Sequence, residues 1–147
     1  MTEQIKNLPD LAKAYLFQMS FTGIGDDEMA EALKLRAKSI ETSPITKNQL
    51  VQFTVAFDEF QDFATLPFWY EKLADAGTVT EEEFENQSFT LDVNIYNGKM
   101  DKVIGKARFN SVNPVVIGPL VLNQEGDGKL QYKVTFMAKN CEVLKGE

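Results

Sequence analysis

Polar and apolar residues alternate with a period of two through most of the chain, the arrangement that sends successive side chains to opposite faces of a strand. Over residues 14–21, Tyr15, Phe17, Met19 and Phe21 share one face, and the run ends at Gly23-Ile24-Gly25. Residues 49–57 repeat the pattern with Val51, Phe53, Val55 and Phe57. Phe89, Leu91, Val93 and Ile95 then alternate with Ser88, Thr90, Asp92 and Asn94. Asn97-Gly98 follows, a pair that tolerates positive φ and predicts a tight hairpin turn. The returning arm puts Val103, Ala107 and Phe109 on one side, with Lys102, Lys106, Arg108 and Asn110, interrupted by Ile104, on the other. After Pro114, residues 115–122 and 130–139 predict another strand pair, with Leu130, Tyr132, Val134, Phe136 and Ala138 facing one way.

One segment follows the helical period instead. Thr65 can cap a helix over 66–76, Pro67 is tolerated in its first turn, and Gly77 can terminate it in a left-handed conformation. Leu66, Trp69, Tyr70 and Leu73 fall at i, i+3, i+4 and i+7, a stripe predicted to pack on a sheet. Residues 31–40 carry two signals. Leu33, Leu35, Ala37 and Ser39 alternate with Lys34, Arg36 and Lys38, which favours a strand, whereas 29–33 has helix-forming composition. No repeat, low-complexity linker or boundary interrupts the pattern, so 147 residues are expected to form one domain, 1–147, with 1–12 as an N-terminal arm. The expected fold is mainly β, an antiparallel sandwich or barrel of about six to eight strands with one flanking helix.

Composition narrows the chemistry. Apolar content of 44% with 25% charged residues is that of a globular chain able to bury an ordinary core. The N-terminal residues have no apolar core of a secretory signal, and the apolar run 115–122 is broken by Gly118-Pro119 and is too short to span a bilayer. Synthesis in the cytoplasm is the expectation. There is no histidine, which removes Ser-His-Asp and Cys-His catalysis and Cys/His zinc sites. The single cysteine, Cys141, cannot form an internal disulfide and reads as a small packing residue.

Twenty-two acids against fifteen bases give a net charge of −7, unsuited to a protein held on nucleic acid by phosphate contacts. From Asp58 to Asp92 ten acids face one base, Lys72, a local −9 that leaves about +2 for the rest. Three polar groupings invite a functional reading. Asn123-x-Glu125-x-Asp127-Gly128 resembles the opening of a calcium loop, but Val134 occupies the twelfth position, where a bidentate Glu is required. Gly23-Ile24-Gly25 suggests a phosphate loop, but Asp26, Asp27 and Glu28 follow and would repel an anion. The clusters Asp58-Glu59-Asp62 and Glu81, Glu82, Glu83 and Glu85 could supply acid and base only within a cleft, and read as solvated faces. No catalytic, cofactor or metal residue is therefore assigned, and the chain is not expected to be an enzyme.

The order of these segments carries a resemblance. Residues 14–21, the helix 68–77, the hairpin from Leu91 to Gly98, and 113–122 with 130–136 resemble the tail tube proteins of contractile-tailed bacteriophages, and with them the tubes of pyocins, type VI secretion and extracellular contractile injection systems. The match runs from about Lys13 to Leu144, with a short connection at 42–48. The resemblance implies a virion structural protein, assembled in the host cytoplasm. Six copies would form a ring whose strands join in one continuous barrel, stacking into the tail tube through which the genome and tape-measure protein pass. The tail sheath, baseplate and terminator proteins are the implied partners, with DNA passing unbound and no membrane contact. A polar strand face would then line the bore, with Thr90, Asp92, Asn94, Lys106 and Arg108 as candidates. The acidic residues Glu81, Glu82, Glu83 and Glu85 would lie on the outer wall toward the sheath, and Leu66, Trp69, Tyr70 and Leu73 would pack the helix. The related readings are a tube of another injection system or a tube-initiating baseplate component. The reading from another class is a monomeric ligand-binding β-barrel, whose pocket would be apolar.

Overall fold

A chain of half-apolar strands must pair its backbone groups and cover its apolar faces, and two antiparallel sheets packed face to face meet both demands. The computed structural model describes residues 12, 16–73, 88–120, 122 and 130–146. In order these form β1 (Phe17–Thr22), α1 (Asp27–Arg36), β2 (Ala37–Thr42), β3 (Val51–Glu59), α2 (Thr65–Lys72), β4 (Phe89–Tyr96), β5 (Val103–Ile117), β6 (Leu130–Ala138) and β7 (Asn140–Lys145). Every strand pairing is antiparallel. The mainly β expectation holds, with two helices among the described residues where the pattern predicted one.

The long strand β5 joins the two sheets. Its first half lies between β4 and β7, giving a sheet in the order β1-β4-β5-β7. Its second half pairs with β6, giving the order β5-β6-β3-β2. Ser111, at φ 52°, turns the strand from one sheet to the other, and a register shift follows between Pro114 and Val116. The sequence pattern breaks at this point because Pro114 has no N–H to give a ladder, so two strands were expected where one bent strand runs. The final strand also continues beyond Lys139: β7, over 140–145, pairs with the first half of β5.

Three local expectations are corrected. Residues 27–36 are helical, and the strand begins only at Ala37. Asp26 caps α1 by accepting from the Met29 N–H at 2.8 Å, and Leu33 and Arg36 are buried with Met29 packed against the core. That spacing is a helical stripe, and the apparent alternation of Leu33 and Leu35 is coincidental, since Leu35 is exposed. The β4–β5 turn is also longer than Asn97-Gly98: the Asn97 N–H bonds the Lys102 carbonyl at 3.0 Å, and Met100, not Asn97 or Gly98, takes positive φ. The third correction concerns α2, which is capped by a different residue from the one expected. Ala64 occupies the cap position with no side-chain bond. The Glu59 carboxylate instead accepts from the Thr65 and Leu66 N–H groups at 3.1 and 2.6 Å, and Thr65 uses its hydroxyl to donate to Glu59.

Between the sheets lies an aromatic core. Phe53 and Phe109 meet at 4.3 Å between centroids, Phe57 stacks on Tyr132 at 5.3 Å, and Trp69 of α2 meets Phe136 edge-on at 5.0 Å. Each such pair contributes about 0.5–1.5 kcal/mol beyond its buried area. Leu66 and Trp69 fulfil the predicted stripe and Leu73 is partly buried, but Tyr70 is 71% exposed, and α2 ends at an extended Leu73 after about two turns. Gly77, the expected terminator, lies outside the described residues. Cys141 packs in the core, where burial pushes its thiol pKa up.

Candidate functional site

The outer face of the β1-β4-β5-β7 sheet is built by strand register. Apolar residues at alternate positions, among them Met19, Phe21, Leu91, Val93 and Phe109, turn inward. Their neighbours are forced outward and aligned in rungs. Gln18, Asn94, Lys106 and Leu144 form one rung; Ser20, Asp92, Arg108 and Glu142 form the next. Thr22 lies opposite Thr90, and Asn110 opposite Asn140. The five sequence-derived candidates Thr90, Asp92, Asn94, Lys106 and Arg108 thus share one face.

That face is internally bonded and electrically balanced. The Arg108 guanidinium donates to both Asp92 carboxylate oxygens, at 2.9 and 3.4 Å. The bond to Asp92 raises the pKa of Arg108 above its ordinary value. Asn110 donates to Asn140 at 2.7 Å and to Glu142 at 2.9 Å, and Tyr96 donates to Gln18 at 3.3 Å. Along the two central rungs Lys106 and Arg108 offset Asp92 and Glu142, so the face carries polarity without net charge. The contributions of β7, Asn140 and Glu142, were missed in the sequence. Their strand reads N-C-E-V-L-K, whose apolar residues do not alternate cleanly.

The sheet ends, among the described residues, in two unpaired edges. Among the described strands β1 pairs only with β4, and β7 only with β5. On β7, Val143 stands opposite Ala107 on the apolar side of the sheet yet is 72% exposed. Unpaired strand edges with exposed apolar side chains invite a further strand.

The acidic clusters divide differently. Asp58 and Glu59 are buried, contrary to the solvated face expected of them. The Glu59 side chain is 0% exposed and meets Arg36 at 3.0 Å, while Arg36 also meets Asp62 at 2.8 Å and Asp58 accepts from Gln131 at 2.8 Å. Hydrogen bonding from Arg36 lowers the pKa of Asp62. This cluster ties α1, β3 and α2 together. No group of three potential metal ligands occurs among the described residues, and no described helix is long and apolar enough to cross a membrane. Residues 81–85 and 123–128 lie outside the described residues.

Comparison of the sequence with protein-family models and with curated proteins gives no match. Solved structures do match, over nearly the whole chain. A chain of the sheath–tube complex of an extracellular contractile injection system, PVC, in its extended state superposes with a TM-score of 0.69 at 13% identity, covering 99% of this chain and 98% of that one. A chain from the PVC sheath/tube terminator gives 0.68 at 12% identity, covering 92% and 98%. A chain of the tube-terminating cap of the anti-feeding prophage gives 0.60 at 11%, covering 94% and 93%. The protein therefore has the fold of chains found in contractile injection assemblies, in agreement with the tail-tube resemblance of its sequence.

Proposed function

We propose that the protein is the structural subunit of the inner tube of a contractile tail. The observation that carries this reading is the four-stranded sheet, polar and charge-balanced on one face, apolar on the other and, among the described residues, unpaired at both edges. Joining the β7 edge of one copy to the β1 edge of the next satisfies both rows of backbone groups, and a closed ring leaves none over. Six copies would supply about 24 strands. At ~4.8 Å per strand and a tilt of about 40°, their backbone circle is about 50 Å across. Thr90, Asp92, Asn94, Lys106 and Arg108 would line this hydrated bore. With Glu142 beside them the charges of Asp92, Lys106 and Arg108 balance, which suits a conduit that must let a polymer pass without retaining it.

The particular assignment read from the sequence is the tube of a contractile-tailed phage, carrying DNA and meeting sheath, baseplate, terminator and tape-measure proteins. A second reading, the tube of an extracellular injection system, is favoured by the PVC and anti-feeding prophage neighbours. Nucleic acid in particles purified with this subunit separates the two. Ring formation is tested by electron microscopy of the concentrated protein. Val143→Asp places a charge at the exposed edge and is expected to abolish rings while changing monomer stability by no more than about 0.5 kcal/mol. Rings undiminished by this substitution, or no annular particle from the parent protein, would overturn the proposed closure.

A further inference from the structure

The polar sheet has two unlike ends. Register gathers Phe17, Ile95, Gly105 and Lys145 at one end, and Thr22, Thr90, Asn110 and Asn140 at the other. They are separated by about 17–20 Å at ~3.3 Å per residue. At the first end a cleft of about 750 Å³ is lined by Lys102, Lys106 and Lys145 with Asp101 and Asn94. At the second, a cleft of about 530 Å³ between β1 and α1 is lined by Asp26, Asp27 and Glu31 with Lys34. Three lysines against one aspartate leave +2 at one end; three acids against one lysine leave −2 at the other.

Lys106 is shared with the balanced polar face, but Lys102 and Lys145 at one end and Asp27 and Glu31 at the other enter no salt bridge among the described residues. The salt bridges among the described residues use Arg36, Lys38 and Arg108 as their cations, leaving the three lysines of the first cleft outside them. Asp101 accepts from Asn97 within its own turn, and Asp26 caps α1. A concentrated positive cleft is an exception on a chain of net charge −7, and a cleft of opposite charge lies at the far end of the same sheet.

We infer that the two clefts are halves of one interface, and that the lysine end of one copy docks head to tail on the acidic end of a second. This rests on the tube reading, because strand ends form the rims of a barrel and one rim must meet the opposite rim of the next ring. A contact between two different patches closes into a ring when its rotation allows, as proposed for the β7 and β1 edges; directed along the ring axis it instead adds ring upon ring. It also gives the tube a polarity, since like rims repel. Electrostatic complementarity sets orientation and register, while the apolar edge contacts close each ring.

The test uses the full chain, with ring closure and tube length read separately by electron microscopy and sedimentation. Lys102→Glu with Lys145→Glu makes both rims acidic; Asp27→Lys with Glu31→Lys makes both basic. Each double variant is expected to form rings that do not stack. Mixing the two should restore tubes in which they alternate, and the fourfold variant should stack on itself. Parent tubes should shorten several-fold in ~1 M salt, where the screening length falls to about 3 Å. Double variants that elongate like the parent, or mixtures and a fourfold variant that form rings but never stack, overturn the inference while leaving the ring intact. Failure of the parent chain to form rings would instead defeat the tube reading and, with it, this interface.

Discussion

Glu59 shows how far one side chain can depart from its local sequence. Its carboxylate accepts five hydrogen bonds: from Arg36, from the N–H groups of Phe60, Thr65 and Leu66, and from the Thr65 hydroxyl. Thr65 in turn accepts from the Tyr132 hydroxyl at 2.8 Å, so the network reaches β6. A negative charge at the start of α2 meets both the unpaired N–H groups and the positive end of the helix dipole. Glu59→Ala removes the acceptor and leaves Arg36 with a buried, half-compensated charge. We expect a loss of about 3–5 kcal/mol, read as a lower midpoint in urea denaturation. In the sequence Glu59 belongs to an acidic run and looks solvated; its partner Arg36 is 23 residues away, and no local pattern announces a contact at that distance.

Elements were legible where burial follows a simple period. β1, β3, β4 and β6 face the core with the residues their alternation selected, because a sheet with one covered face sorts side chains strictly in twos. The helix α2 was legible in its stripe but not in its length. Trp69 is 0% exposed among Phe21, Phe57, Phe89 and Phe136, whereas Tyr70 on the same predicted stripe is turned to the surface. Trp69→Ala should cost about 3–5 kcal/mol, and Tyr70→Ala no more than about 0.5. Equal losses in thermal or urea melts would show that Tyr70 packs as the full stripe predicts. Helix α1 and strand β2 were blurred for another reason: a helix running without a break into a strand superimposes two periods on residues 31–40.

The proposed ring is constrained by charge as well as by edges. Six copies of a chain at −7 would carry −42 per ring, while the polar sheet face is balanced, so the excess acid must lie on other surfaces. The block from Asp58 to Asp92 supplies −9 of charge, part of it spent in the buried Arg36 network. Glu81, Glu82, Glu83 and Glu85 remain as candidates for an outer wall facing a basic sheath. Replacing these four with Lys should weaken sheath co-assembly, measured by pelleting sheath with preformed tubes, while tube length stays unchanged. Sheath binding that is indifferent both to these reversals and to raised salt would rule out this acidic contact.

Alternation alone was enough to settle that the chain is mainly β, which residues of β3, β4 and β6 face its core, and that Thr90, Asp92, Asn94, Lys106 and Arg108 share a polar face, because a strand has only two sides. It could not show that β5 bends at Ser111 to serve two sheets, that β7 completes the polar face, or that Glu59 seals a helix begun six residues later. Nor could it place lysines and acids at opposite ends of the same sheet. Those features depend on contacts between residues far apart in the chain, whose approach is set by how the sheets pack and not by any neighbour in sequence.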